Sequence, residues 1–315
     1  MERQVSVIIP IYNEEKNINI FYQELTDVIT HLNENYEIIF VNDGSTDATS
    51  KILEELYENK NNATLKIITL SKRFGQTQAF QAGIDKSEGE IIVFIDGDLQ
   101  NDPKDIPILL NVLKGDWDMV NGWRKHRKDP FFSKKLPSFI ANMLIRKFSK
   151  VNLHDFGCGL KVFRKESLKN YSLLGSMHRL LPLHMVLKGH RVTEVVVTHR
   201  ERAYGKSKYG FLRTYELMLE LLRINFFEKH FSFPLYYFGI SAFISSVTGI
   251  FLGGFVIIRK IVLKGPWISP LFFISIILFF LGIQSLLMGI VAEILVRISL
   301  QNNKERLYII KEIKL

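Results

Sequence analysis

The chain has 315 residues, 47% hydrophobic and 23% charged, with a net charge of +9. That length holds one large domain, or one domain with an appendage. The single cysteine, Cys158, excludes an intrachain disulfide and fits a reducing compartment, while the positive balance points to nucleic acid or an anionic membrane. The apolar residues decide between those partners, because the stretch from about residue 230 to 296 has the composition of membrane segments. The basic charge is therefore assigned to a membrane surface, and no nucleic-acid partner is expected. The apolar run Val5–Ile9 is too short for a signal peptide, which predicts a cytosolic place for the part ahead of the membrane segments.

Val5 to Ile9 reads as a first parallel strand ended by Pro10, followed by Tyr12-Asn13-Glu14-Glu15. Ile18, Phe21, Leu25, Val28 and Leu32 predict a helix over 18–32. Glu37 to Val41 is a second strand, and the turn 42–47 contains Asp43, with Ser45 or Asp47 as the cap of a helix over 48–58. Leu65 to Leu70 is a third strand, followed by Ser71-Lys-Arg-Phe-Gly75 and a helix over 76–86. Ile91 to Ile95 then runs straight into Asp96 and Asp98. A continuous apolar run predicts a strand buried on both faces. Its carboxylates fall at the C-terminal end, where open α/β sheets bind ligands. Two acids so close repel unless a cation neutralises them, and a hard divalent ion suits carboxylate oxygens and phosphates together. Acidic residues thus end three successive strands, at Glu14, Asp43 and Asp96/Asp98.

The β-α-β-α alternation predicts an α/β, Rossmann-like, doubly wound, mostly parallel sheet. Neither G-x-G-x-x-G nor GxxxxGK[ST] spacing occurs, which excludes the usual dinucleotide and P-loop readings.

Asp105 to Lys114 reads as a helix, and 118–122 as a strand that delivers Arg124. Residues 124–135 are basic with Phe131 and Phe132, which reads as a mobile lid or a membrane-surface patch; 139–148 is a candidate interfacial helix. In the glycine-containing run 154–161, Asp155 is a candidate base or acceptor-positioning group, and Cys158 reads as packing. Val192 to Thr198 is a strand leading into a loop, 199–210, whose Arg200, Arg202, Lys206, Ser207 and Lys208 suit a diphosphate. An amphipathic helix over 211–230 approaches the bilayer, and two apolar segments, 233–258 and 268–296, are each long enough to cross it. Arg213, Arg223 and Lys229 before them and Arg297, Lys304, Arg306, Lys311 and Lys314 after them outnumber Arg259, Lys260 and Lys264 between. That balance puts both termini in the cytoplasm. The tail 307–313 is strand-like, for pairing with another subunit or with the catalytic domain.

These stretches together resemble the family 2 glycosyltransferases of the polyprenyl-phosphate type, such as bactoprenol glucosyltransferases and dolichol-phosphate mannose synthases. The matching runs are Val7–Glu14, Val41–Asp47, Ser71–Gly75, Asp96–Gln100, Asp155–Lys161, His199–Arg202 and Gly205–Lys208. The resemblance implies a GT-A fold and inverting transfer of a sugar from a nucleotide diphosphate to polyprenyl phosphate. UDP-glucose and undecaprenyl phosphate are the favoured substrates, with GDP-mannose as the alternative donor. It further implies nucleotide-sugar contacts at Pro10, Tyr12, Glu14, Asp43, Arg73, Asp96 and Arg202. Mg²⁺ or Mn²⁺ would sit on Asp96, Asp98 and Gln100. Catalytic roles fall to Asp98 and Asp155, and phosphate contacts to Arg124, Arg202, Ser207 and Lys208. Asn42 departs from the pattern, standing where many relatives have an acid.

The implied organisation is a cytosolic catalytic domain at 1–210, an interfacial helix at 211–232, a membrane hairpin at 233–296 and a cytosolic tail at 297–315. The implied location is the cell (inner) membrane, and a homo-oligomer and a lipid-sugar flippase are further candidate partners. A processive polysaccharide synthase would carry Gln-x-x-Arg-Trp and more spans, neither of which is present. A non-catalytic, membrane-anchored nucleotide-sugar sensor is opposed by the intact Asp96, Asp98 and Gln100 set.

Overall fold

The computed structural model describes residues 5–32, 35–59, 65–126, 142–143, 145–146, 151–169, 173, 177–201, 234–263, 270–301 and 308–314. The chain divides into two compact units, Met1–Leu222 with Arg306–Leu315, and Arg223–Glu305. Four expectations lie wholly or mostly outside the described residues: the helix over 211–230, the basic segment 124–135 beyond residue 126, the interfacial helix over 139–148, and the phosphate contacts Arg202, Ser207 and Lys208.

In the first unit the strands are β1 (Val5–Ile11), β2 (Tyr36–Asn42), β3 (Leu65–Leu70), β4 (Ile91–Phe94), β5 (Met119–Trp123), β6 (Lys161–Arg164), β7 (Val192–Val196) and β8 (Ile310–Lys314). The helices are α1 (Ile18–Ile29), α2 (Thr49–Glu58), α3 (Gln76–Lys86), α4 (Ile106–Leu113) and α5 (Met177–Leu187). The strands form one sheet in the order β7-β5-β6-β4-β1-β2-β3-β8. β1 pairs in parallel with β2 and β4, β2 with β3, and β5 with β7. β6 runs antiparallel to both β4 and β5, and β8 antiparallel to β3, so the doubly wound sheet is mixed.

Successive side chains of a strand point to opposite faces, and here both faces are covered. Val7 and Ile9 pack with Phe21 and Leu25 of α1, Leu53 of α2 and Leu109 of α4. Ile8 packs on the other side with Phe80 of α3 and Met185 of α5. This is why the central strands read as unbroken apolar runs.

β1 continues through Pro10 to Ile11, beyond the expected stop. The Ile8 carbonyl accepts from Ile95 on the β4 side, whereas the Ile11 carbonyl accepts from Asp43 on the β2 side. Pro10 shares the orientation of Ile8, and β4 pairs no further than Ile8–Phe94. The missing proline donor therefore faces a place where no ladder bond is required. α1 stops at Ile29, short of Leu32, which still packs against the core. The N-cap of α2 is Ala48, and Asp47 just ahead of it accepts the Thr49 N–H at 3.1 Å.

The tail closes the β3 edge of its own sheet. Ser71 N–H bonds the Ile309 carbonyl at 2.9 Å, Tyr308 donates to Asp85 at 2.6 Å, and Lys314 pairs with Glu54 at 3.5 Å. An exposed β3 edge would otherwise be a template for pairing with another chain.

The second unit is a helical hairpin, α6 (Pro234–Leu263) and α7 (Pro270–Gln301). Leu235–Val262 and Pro270–Leu295 are both long and apolar enough to cross a membrane. Phe243, Phe251, Ile261, Phe280 and Leu295 stand exposed along them. Ser241 and Ser285 bond across the hairpin, and Gly249 lets the α7 backbone at Ser275 and Phe279 approach closely.

Candidate active site

The C-terminal ends of β1, β2, β3 and β4 open into a cleft of about 120 Å³ lined by Pro10, Ile11, Tyr12, Glu14, Asp43, Arg73, Gln76, Asp96, Gly97 and Asp98. The expected contacts Pro10, Tyr12, Glu14, Asp43, Arg73 and Asp96 thus share one wall system. The loops that bring them there are stitched by short polar bonds. Asn13, at φ 51°, donates its N–H to Ser45 Oγ and accepts the Thr46 N–H. The Glu14 N–H bonds Thr49 Oγ1.

Asp43 is buried, and its carboxylate accepts the Phe74 N–H at 2.7 Å and the Gly75 N–H at 2.9 Å. Burial pushes its carboxyl above the usual range, against the pull of those bonds. Asp43 therefore shapes the 71–75 loop as well as lining the cleft. Gly44 makes that approach possible: at φ 66°, a Cβ there would lie 2.5 Å from the Lys72 backbone. The same loop carries Arg73, whose guanidinium lies 4.2 Å from the centre of the Tyr12 ring. Asn42 turns away into the β2–α2 connection, accepting from Ser45 N–H and donating to Ser50 Oγ. The departure at this position is thus a turn residue.

Asp96 and Asp98 end β4 at the cleft. Leu99 follows in the left-handed region at φ 62°, a conformation that costs energy for a leucine and marks a constrained turn. It lets the Gln100 N–H cap Asp98 at 3.2 Å. Burial first, and the Asp98 charge second, push Asp96 up to about 6, against the pull of Lys161, Arg124 and Arg179. Gln76, the first residue of α3, donates to Asp96 Oδ1 at 2.6 Å. Among the described residues no cluster of three or more His, Cys, Asp and Glu gathers. The donor set is a pair of hard oxygen ligands whose charges repel each other. It fits Mg²⁺ or Mn²⁺ completed by water and substrate phosphates, the usual mode for those ions.

The turn after residue 154 packs directly on this pair. A Cβ at Gly159 would fall 2.1 Å from Asp96 Oδ2 and 2.8 Å from Asn101 Nδ2. We expect Gly159→Ala to displace the Asp96 carboxylate at an overpacking cost of about 1–3 kcal/mol. A lower Tm together with weaker Mn²⁺ binding in calorimetry would register it; an unchanged pair of values would contradict it.

Asp155 is buried and fully engaged. Arg124 Nε donates to Oδ2 at 2.7 Å, Arg124 Nη2 to Oδ1 at 2.9 Å, and the Gly157 N–H to Oδ1 at 3.1 Å. The Asp155 carbonyl accepts Asn121 Nδ2. Lys161 lies beneath the same turn, buried, donating to the carbonyls of Phe156 and Cys158; burial pushes its ammonium down to about 8. Cys158 is buried with its thiol pushed up by burial, as packing requires of it. His154 stacks on Trp123 and bonds Glu194.

Gln76, Lys161 and Asn121 are contributors that sequence reading did not single out. Gln76 follows the Ser71–Gly75 run directly, so the only signal was its place next to that run. The other two are polar residues on short strands, which pattern alone reads as solvent-facing.

The model of "Glycosyl transferase family 2" matches residues 6–172. Dodecaprenyl-phosphate galacturonate synthase of Rhizobium johnstonii is 36% identical over 98% of this chain and 93% of its own length. Undecaprenyl-phosphate 4-deoxy-4-formamido-L-arabinose transferase of Proteus mirabilis is 31% identical over 94% of this chain and 89% of its own. Among solved structures, glucosyl-3-phosphoglycerate synthase from Mycobacterium tuberculosis, in complex with Mn²⁺, UDP and phosphoglyceric acid, superposes with a TM-score of 0.57. It covers 71% of this chain and 78% of that one at 17% identity, a likeness of fold.

Proposed function

The chain belongs to glycosyl transferase family 2, and from that premise we propose that it moves a sugar from a nucleoside diphosphate to a polyprenyl phosphate at a membrane. The observation that carries this reading is the Asp96/Asp98 pair at one end of a cleft whose other walls hold Tyr12, Asp43 and Arg73. The relatives of matching length act on dodecaprenyl and undecaprenyl phosphate by their names, and the two apolar helices supply an anchor beside such a lipid. We take the donor to be a UDP-sugar. UDP-glucose remains the first donor to test, although the two named relatives handle galacturonate and a formamido-arabinose.

The reaction is a single displacement with inversion. An oxygen of the acceptor phosphate forms the bond to the anomeric carbon as the bond from that carbon to the diphosphate oxygen breaks, releasing the nucleoside diphosphate. The acceptor monoester has its second pKa near ~6, so its attacking oxygen is already anionic at neutral pH. No strong base is needed, and the bonds of Asp155 to Arg124 support a role in holding that arginine for an acceptor phosphate. Asp96 and Asp98 would hold the divalent ion, which offsets charge developing on the leaving diphosphate. Tyr12 and Arg73 would flank the nucleotide. Residues 1–210 would be catalytic and the hairpin embedded, with residues 211–232 at the interface and both termini on the cytoplasmic side.

The test is transfer of labelled sugar into extractable undecaprenyl phosphate by purified full-length protein. UDP-glucose, UDP-galacturonate, other UDP-sugars and GDP-mannose would be compared with Mg²⁺, Mn²⁺ or EDTA. Labelled lipid formed with a divalent ion and lost with EDTA is expected. UDP binding without labelled lipid from any donor would replace this reading with a nucleotide-sugar sensor.

A further inference from the structure

The segment that follows β7, His199-Arg-Glu-Arg202, carries two arginines, which the sequence presents as part of one phosphate-binding patch. Of its two arginines, the structure describes Arg200. Arg200 is already committed to two acids: its Nη2 lies 2.6 Å from Asp102 Oδ2, its Nε donates to the same oxygen at 3.1 Å, and its Nη1 lies 2.7 Å from Glu24 Oε2. A diphosphate would have to displace two carboxylates to use it. Asp102 is fixed independently, because its other oxygen accepts the Lys104 N–H at 3.0 Å and caps the short helix Pro103–Asp105.

The backbone around Arg200 is zipped to the stretch that follows Asp98. The Arg200 N–H bonds the Gln100 carbonyl at 2.9 Å, His199 and Asn101 form an antiparallel bridge, and the Thr198 N–H bonds Asp105 at 2.7 Å. One guanidinium thereby ties α1, the turn beyond Asp98 and the segment after β7.

We propose that Arg200 is a positioning residue. Its clamp on Asp102 and Glu24 fixes the turn that follows Asp98 against α1 and residues 198–200, and it does not itself bind the diphosphate. This rests on the glycosyl-transfer reading and adds to it. The pair Arg200–Asp102 is predicted to act as one unit, so the double variant should cost no more than Arg200→Gln alone, and Asp102→Asn, which leaves the Glu24 contact, should cost less than Arg200→Gln.

The experiment is a double-mutant cycle on the full-length protein with Arg200→Gln, Asp102→Asn and the double variant. It reads the donor KM, kcat, UDP affinity by calorimetry, and Tm. The expected result is a rise of about tenfold in donor KM and in the UDP Kd for Arg200→Gln, a smaller rise for Asp102→Asn, a smaller change in kcat for both, and non-additivity in the double. A direct phosphate ligand would behave otherwise. Arg200→Gln alone would then weaken UDP binding, while Asp102→Asn would strengthen it by freeing the guanidinium, and that pattern overturns the proposal. Additive effects, or unchanged KM and Kd in Arg200→Gln, also overturn it. If Arg200→Gln does not fold, Glu24→Gln carries the test, since it removes a single contact. It should raise the UDP Kd about threefold at unchanged Tm, and an unchanged Kd would overturn the clamp. UDP binding is read independently of turnover. A wild-type chain that binds UDP and transfers nothing refutes the functional reading while the cycle still decides on Arg200.

Discussion

Asp155→Asn should slow transfer by on the order of a hundredfold while changing UDP affinity little, because it releases Arg124 from its fixed aim. The two side chains form a paired fork, with Oδ2 on Nε and Oδ1 on Nη2, and the Arg124 N–H also points at Oδ2 at 3.3 Å. The amide of asparagine can accept one of these bonds and must present a donor to the other, so the fork opens. Asp155 is 3% exposed, and an unpaired guanidinium left beside it costs stability as well, about 3–5 kcal/mol for a broken buried pair. The measurement that separates anchor from base is the pH–rate profile at saturating donor. If Asp155 anchors, the variant keeps the acid limb of the wild type, because that limb belongs to the acceptor phosphate: its dianion is lost below about pH 6 and the rate falls with it. If Asp155 is the base, the limb disappears or moves in Asp155→Asn. A shifted limb, or a loss of UDP affinity as large as the loss of rate, would refute the anchoring role.

Which parts of this molecule were legible in the sequence follows from the range of the interactions involved. The parallel core was readable because burial on both faces leaves unbroken apolar strands, as at Ile38–Val41 and Ile91–Phe94. The helix Gln76–Lys86 falls where its pattern puts it. The carboxylates at strand ends were readable because a parallel sheet delivers all its C-terminal ends to one edge, whatever the loops do. The antiparallel insertion of β6 between β4 and β5 was not readable. Lys161–Arg164 is short, contains cations, and pairs across a long sequence gap, so only the assembled sheet identifies it as a strand. The tail was recognised as strand-like, but its partner was left open between another subunit and its own domain. The pairing Ile68–Ile313 shows the latter, and a sequence pattern carries no record of which edge is vacant. Roles were harder to read than positions. Asp155 reads in sequence as a base or an acceptor-positioning group and Arg200 as one cation of a diphosphate loop, and it is their partners, Arg124 in one case and Asp102 with Glu24 in the other, that support the positioning roles proposed for them. An ion pair between residues 98 positions apart leaves no local signature.

The largest effect is expected at the carboxylate pair: Asp96→Asn or Asp98→Asn should reduce transfer at least about a thousandfold, since the charge on the leaving diphosphate would lose its main compensation. Binding of Mn²⁺ gives a readout that does not depend on turnover. Asp96 is pushed up to about 6 by burial and by Asp98, whereas an unfolded chain releases the same proton near 3.8. Between those values the folded protein holds a proton that the unfolded one does not, so without metal this residue makes the fold less stable as pH rises through the window. A cation on the pair removes the repulsion between the two acids and must displace that proton. Mn²⁺ affinity should therefore fall about tenfold per pH unit below about 6 and level off above it, and the Tm gain from Mn²⁺ should grow over the same interval. Asp96→Asn should flatten both dependences and weaken binding, whereas Asp98→Asn should weaken binding and also let Asp96 titrate lower by removing the neighbouring charge. Calorimetric Mn²⁺ titrations of the three proteins from pH 5 to 8 would decide it. Affinity that is independent of pH in the wild type would mean that the pair does not hold the ion, and that Asp96 serves the cleft through its bond to Gln76 instead.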